Sequence, residues 1–318
     1  MDRIFKRVLV PSDFKGSRLD KAAAALFPDF SRSRLKTWIE SGALTLGDMK
    51  TEPKVRLGGG EELVLDAQLD SVIPVEGESI PLTVVHEDKS ILIIDKPSGL
   101  VVHPGAGNPS GTLQNALLNL DASLSALPRA GIVHRLDKET SGLLLVARTM
   151  GARNRLVAKL ERREIQRRYE GVCQGVATGG GKVGAPIGRH PKDRLKMAVL
   201  AGGRPALTHY RVMEKFRAHT HLSLTLSTGR THQIRVHLAH IRMPLVGDPV
   251  YGGRPRFPPK PGDEIRRLLE EFPRQALHAT RLAFNHPEDG KLASYRSPLP
   301  DDIRILLEVL RKDANAGD

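Results

Sequence analysis

An α+β fold is expected for this chain of 318 residues, on three observations. Helical and strand-like stretches follow one another without strict alternation, which argues against a doubly wound sheet. No phosphate-binding loop and no G-x-G-x-x-G turn occurs; Lys182 follows three glycines but precedes Val183. The 40% hydrophobic and 27% charged fractions are those of a folded globular protein.

The elements read in order as follows. Ser17–Phe27 places Leu19, Ala22, Ala23 and Leu26 at helical spacing. Ser31 is expected to cap a second helix through Glu40, with Leu35, Trp38 and Ile39 inward and Arg32, Arg34 and Lys36 exposed. Ala43–Leu46 and Glu62–Leu65 read as short strands, separated by Pro53 and the Gly58-Gly59-Gly60 turn. This makes residues 17–75 a small helix–helix–strand–strand domain. Residues 1–16 form an N-terminal extension, and residues 76–81 a linker beside Pro74 and Gly77.

Residues 82–312 form the larger domain. Val84-Val85 and Ile91–Ile94 are strand-like, and Val101–Pro104 is expected to extend that sheet. Thr112–Leu120 suits a helix, Gly142–Ala147 a buried strand, and Asn154–Arg163 a basic amphipathic helix. Tyr169–Gly175, His209–Glu214 and Leu222–Leu226 alternate as strands do, and His232–His240 suits a helix. Asp301–Leu310 reads as a last helix, with residues 313–318 frayed.

The 49 basic and 36 acidic residues leave a net charge of +13. Residues 81–318 hold 37 basic and 23 acidic residues, and the first 36 residues hold nine and four. A basic surplus on a folded protein attracts polyanions, nucleic acid first, although many basic faces are merely solvated. The single cysteine, Cys173, excludes an internal disulfide and any cysteine-pair metal site. The longest apolar runs, such as Leu143–Ala147, are far short of the ~20 residues a membrane span needs. With no apolar leader before Pro11, the expected location is the cytoplasm, without membrane contact. His232, His237 and His240 could suggest a metal site, but Arg230, Arg235 and Arg242 are interleaved with them and oppose a dication.

Three stretches carry chemistry. Gly131–Gly142, a polar loop with glycine at both ends, feeds the buried strand and presents Asp137 between Arg135 and Lys138. A carboxylate oriented there suits a nucleophile, or else a surface salt bridge. In Ser227–Leu238, Arg230, His232, Gln233 and Arg235 could face one cleft and offer donors to phosphate or carboxylate, or else form a basic helix face. Arg162–Tyr169 combines four arginines with one aromatic, as a surface tracking a nucleic-acid backbone does, or else Tyr169 is a core residue beside a solvated flank.

The string His134-Arg-Leu-Asp-Lys-Glu-Thr-Ser-Gly142 resembles the signature of the RluA family of pseudouridine synthases. Ile94-Asp-Lys-Pro-Ser-Gly99 with Val102-His-Pro104, Thr228–Arg235 with Gly247-Asp-Pro-Val-Tyr-Gly252, and Ala276–Ala279 with His286-Pro287 resemble its other motifs in the same order. Residues 17–66 are similar to the small S-four-like RNA-binding domain. Arg189-His-Pro and Gly252-Gly-Arg-Pro255 point to the RluD-like members, which act on large-subunit ribosomal RNA. Two departures are Asp95, where the family often has Asn, and Leu46-Gly47-Asp48 in place of a Val-Asn-Gly turn.

The resemblance implies a mixed, largely antiparallel sheet flanked by helices and loops. It implies isomerisation of specific uridines to pseudouridine in 23S ribosomal RNA, by base flipping, with neither cofactor nor metal. It makes Asp137 the catalytic carboxylate, Arg235 its ion-pair partner and Tyr169 the tyrosine that stacks on the base. Arg135 would fill the gap left by the flipped nucleotide, with His134, Arg230 and Gln233 as further RNA contacts. Arg18, Arg32, Arg34 and Lys36 would add affinity from the small domain. Ribosomal RNA stem-loops, or a pre-ribosomal particle, are the expected partner of a monomer. The alternatives are a synthase acting on tRNA, a non-catalytic ribosome-assembly factor, and a glycoside hydrolase that would need Glu139 or Asp248 as a second carboxylate.

Overall fold

The computed structural model describes residues 3–316, apart from residues 29, 31, 69–74, 106 and 194. The chain divides between Pro74 and Val75 into two compact units. The expected cap Ser31 lies outside the described residues.

The first unit contains β1 (Arg3–Leu9), α1 (Leu19–Leu26), α2 (Arg32–Ser41), β2 (Leu44–Leu46) and β3 (Glu62–Gln68). The strands form an antiparallel sheet in the order β1-β3-β2. Leu19, Leu35, Ile39, Leu44, Leu63 and Leu65 are fully buried between helices and sheet. Residues 1–16 are therefore not a mere extension. Arg3–Leu9 pairs with β3 along its whole length, and Arg3 donates twice to the Asp66 carboxylate at 2.6 and 2.7 Å. Its three basic residues, Arg3, Lys6 and Arg7, which the sheet edge allows, mask the strand in the sequence.

The second unit contains β4 (Thr83–Glu87), β5 (Ile91–Lys96), α3 (Leu113–Leu120), β6 (Ser141–Ala147), α4 (Met150–Glu161), β7 (Gln166–Gln174), β8 (Gly181–Val183), β9 (Ile187–Arg189), β10 (Met197–Val199), β11 (Thr208–Lys215), β12 (His219–Leu226), α5 (Gln233–His240), α6 (Asp263–Glu271), β13 (Leu277–Asn285), β14 (Leu292–Arg296) and α7 (Asp301–Ala316). Nine of these strands form one sheet in the order β4-β5-β6-β13-β7-β12-β11-β8, with β14 beside β13. Every pairing in it is antiparallel except β6 with β13. The fold is thus α+β, as expected.

Three boundaries differ from the expectation. Residues 76–81 are packed rather than loose: Asn115 donates to the Glu76 carbonyl at 2.9 Å, Glu78 N–H donates to the Asn115 carbonyl at 3.0 Å, and Ile80 lies against the core. Val101–Pro104 does not extend the sheet; Val101 forms a lone bridge to Thr112. The last helix runs through Ala316, because Leu306, Leu307, Val309 and Leu310 anchor it and Arg217 pairs with Asp313 at 2.9 Å.

β6 is buried on both faces, as its unbroken apolar run requires. Glycines fix both ends of the loop that precedes it. Gly131 has φ +77°, and a Cβ there would overlap the Ala147 carbonyl. Gly142 has φ +108° and lies so close to the Ala279 backbone on β13 that no side chain fits.

Candidate active site

Residues 132–137 and Thr140 wall a cavity of about 570 Å³ in the second unit, together with the C-terminal part of α4, the start of β7, the 227–231 loop and α5. The loop is held from several sides. Lys96, fully buried, donates to the carbonyls of Pro97, Leu100 and Lys138 at 2.6, 2.9 and 2.9 Å. Burial pushes its pKa down to about 7. Three accepting carbonyls nonetheless match the three donors of an ammonium, and we assign that form in the assembled site. Arg274, clamped by Asp302 at 2.6 and 2.9 Å, donates to the Glu139 carbonyl. Gln275 donates to Thr140 Oγ1, and the Thr140 N–H closes a turn onto the Asp137 carbonyl.

Asp137 faces the cavity from that turn. Its Oδ2 accepts from Arg235 Nη1 at 3.2 Å. Arg235 makes stronger bonds on its other side: Nε and Nη2 donate to the two oxygens of Asp248 at 2.7 and 2.9 Å. The Asp248 side chain is completely buried and also accepts from the N–H groups of Val250 and Tyr251. Burial disfavours charge on both partners, yet their mutual bonds win. Arg235 is raised above its ordinary range and Asp248 lowered below the usual carboxylate range. Tyr251 packs its ring 5.1 Å from the Arg235 guanidinium, and its hydroxyl lies 2.9 Å from His232 Nδ1. His232 itself, with φ 54°, sits in the left-handed region at the start of α5.

Tyr169 lines the same cavity from β7 and is 5% exposed. Burial, and then the Asp137 carboxylate, raise its pKa, so the phenol remains neutral. Arg135 stands exposed on the cavity wall. Arg230 is there also, with Nε donating to the Pro205 carbonyl at 3.2 Å.

Two expected RNA contacts have other partners. Gln233 is buried and spends both ends of its amide inside the protein. Its nitrogen donates to the Leu207 carbonyl and Thr208 Oγ1 at 3.0 Å, and its oxygen accepts from Thr228 Oγ1 and the Arg230 N–H. It fastens the 227–230 loop to β11. His134 accepts the Leu145 N–H on Nε2 at 3.0 Å, which fastens the Asp137 loop to β6. Burial pushes its pKa down to about 3. It is therefore neutral at pH 7 and no cation for phosphate. His237 does not converge with His232 on a metal; its ring lies within 2.9 Å of Thr208 Oγ1 and the Ala185 carbonyl.

In the first unit, Arg18 and Arg32 converge on the buried Asp20 at 3.0 and 2.7 Å. Arg34 stacks on Trp38 at 5.5 Å, and Lys36 pairs with Glu40 at 3.5 Å.

A family model described as RNA pseudouridylate synthase matches residues 90–240, which contain the Asp137 loop, Tyr169 and Arg235. The chain is 51% identical over 315 residues to ribosomal large subunit pseudouridine synthase D of Pseudomonas aeruginosa, covering 99% of this chain and 98% of that protein. The chain belongs to the RNA pseudouridylate synthase family. The synthase D of Escherichia coli strain K12 is 54% identical over 299 residues, covering 94% of this chain and 92% of that protein. Among solved structures, human RNA pseudouridylate synthase domain containing 4 aligns with a TM-score of 0.57 and 26% identity, over 72% of this chain and 92% of that one. This pseudouridylate synthase fold places the loop before β6, the start of β7 and α5 around one cavity.

Neither Lys96, noted only within the Ile94–Gly99 motif, nor Asp248, considered only as a hydrolase's second carboxylate, is among the site residues that the sequence suggests for the synthase. Asp248 lies within a stretch already noted for its resemblance, but only the packing reveals that it is the main partner of Arg235. It does not serve as a second carboxylate facing a substrate, since its side chain has no exposed surface. The glycoside-hydrolase reading loses one of its two candidates.

Proposed function

We propose that this chain converts specific uridines in the loops of large-subunit ribosomal RNA to pseudouridine, acting in the cytoplasm as a monomer. The observation that carries the reading is a half-buried aspartate, Asp137, hydrogen-bonded to a guanidinium that a second aspartate holds rigid, beside a buried tyrosine in one cavity. The two relatives described above, alike over nearly the whole chain, carry the ribosomal substrate in their names.

A uridine must leave its stack to reach such a cavity, at a cost of about a few kcal/mol that is smallest in a loop. Tyr169 then offers its ring to the base. Asp137 acts at the anomeric centre, by attack on carbon or by removal of a sugar proton, as carboxylates do at oxocarbenium-like centres. Arg235 orients the attacking oxygen, while Asp248 absorbs most of the guanidinium's bonding capacity. The small first unit adds affinity through its basic residues.

The test is pseudouridine mapping of a large-subunit ribosomal RNA transcript after incubation with purified protein in EDTA. New pseudouridine in a defined loop, absent with Asp137→Asn although that variant still binds the RNA, is the expected result. Pseudouridine produced by Asp137→Asn would remove Asp137 from the chemistry. Modification of tRNA alone would replace the substrate.

A further inference from the structure

Arg167 has no role in the account above, and its setting is unusual. It precedes Tyr169 by two residues on β7, so the pleat turns both side chains to the same face while Arg168 points the other way into solvent. Arg167 is 7% exposed and lines the cavity. Its Nε is buried without a hydrogen-bond partner, and among the described residues no carboxylate lies within 4 Å of the guanidinium. Nη1 rests against Gly229, where a Cβ would stand only 2.7 Å away. The 227–230 loop therefore carries glycine where the guanidinium passes. A buried cation without a counter-charge is costly for a folded protein, unless a ligand supplies the charge.

We infer that Arg167 is the anchor of a phosphodiester subsite within the cavity, binding a backbone phosphate of the RNA strand that carries the target uridine. The inference rests on the RNA reading of the site. The ligand must be anionic, because a uracil carbonyl would leave the charge uncompensated. Arg135, Arg163 and Arg230 line the same cavity, against Asp137 and Glu161 as its acids, and Asp137 already faces Arg235. The planar guanidinium fits two phosphate oxygens at once, which a lysine cannot do. Arg167 thus positions the strand, and Asp137 reacts with the nucleotide it delivers.

The experiment uses the full chain and an RNA stem-loop containing one mapped target uridine. Uncharged methylphosphonates replace the phosphates around that uridine one at a time, and Kd is measured for wild type, Arg167→Gln and Arg167→Lys. Arg167→Gln is expected to weaken binding by about 10- to 100-fold, as the loss of a charge-assisted hydrogen bond does. One methylphosphonate should weaken wild type by a similar factor and leave Arg167→Gln unaffected, with Arg167→Lys in between. The kinetic loss should fall in KM rather than kcat. RNA-free Arg167→Gln should melt no lower than wild type, since it removes an uncompensated charge. Independent, multiplicative effects of Arg167→Gln and every methylphosphonate would overturn the proposal. So would a lower melting temperature with unchanged RNA affinity, which would make Arg167 structural. Failure of the RNA reading is seen separately, as wild-type protein that forms no pseudouridine.

Discussion

Arg235 stands between two carboxylates that have different tasks. Asp248, with no exposed side-chain surface, takes two short bonds and two backbone N–H groups, whereas Asp137 takes one longer bond at the edge of the cavity. The asymmetry separates stability from chemistry. Asp137→Asn leaves Arg235 its main partner, so unfolding free energy should change by no more than about 1 kcal/mol. Asp248→Asn leaves a buried guanidinium without adequate charge compensation and should cost about 3–5 kcal/mol. Urea unfolding of the two variants checks this. Equal losses would mean that the two aspartates share Arg235 evenly in solution. Asp137 is legible in the sequence because its motif is contiguous. Asp248 is not, because 111 residues separate the two and only the packing of the 247–252 turn against α5 joins them.

The Asp137 loop is rigid because other elements hold it. β5 contributes Lys96, the segment before β13 contributes Arg274 and Gln275, and β6 contributes the Leu145 N–H that His134 accepts. The last contact makes the loop sensitive to acid. Folded His134 has its pKa lowered to about 3, while the unfolded chain takes up that proton near pH 6.5. The folded pKa is the depressed one. Its contribution to stability is therefore complete above pH 6.5 and is lost as pH falls toward 3. Between pH 6.5 and pH 5 this amounts to about 2 kcal/mol for one group. His134→Gln keeps an acceptor but cannot titrate. It should lose correspondingly less stability over that interval in paired urea titrations, and an identical loss in both proteins would show that His134 is not held neutral. Helical and strand periods revealed most of these elements. They failed at β1, whose edge position allows a polar sequence, at α6, whose residues Asp263–Glu271 bury only Ile265 and Leu269, and at β8, β9, β10, β13 and β14.

For the whole molecule, the charge of +13 is distributed over two units with separate cores. In the first unit Arg18 and Arg32 share Asp20, so together they retain one net positive charge. Replacing both would strand a buried carboxylate, but Arg32→Gln with Lys36→Gln leaves Asp20 paired to Arg18. That double variant should bind ribosomal RNA less tightly, with the slope of log Kd against log salt shallower by about 1.5, as expected for two lost phosphate contacts. An unchanged slope would place the RNA away from this helix.

The sequence by itself determined the family, the α+β class, the loop that carries Asp137 and the basic character of the chain. These properties reside in contiguous strings and in composition, which need no folding to be read. Tertiary structure alone decided that Gln233 and His134 fasten loops within the protein, that Asp248 rather than Asp137 is the principal partner of Arg235, and that Arg167 is buried without a counter-charge. The physical reason is common to all four. A polar side chain is available to a ligand only if its hydrogen bonds and charge are not already satisfied within the protein, and that depends on neighbours distant in the chain.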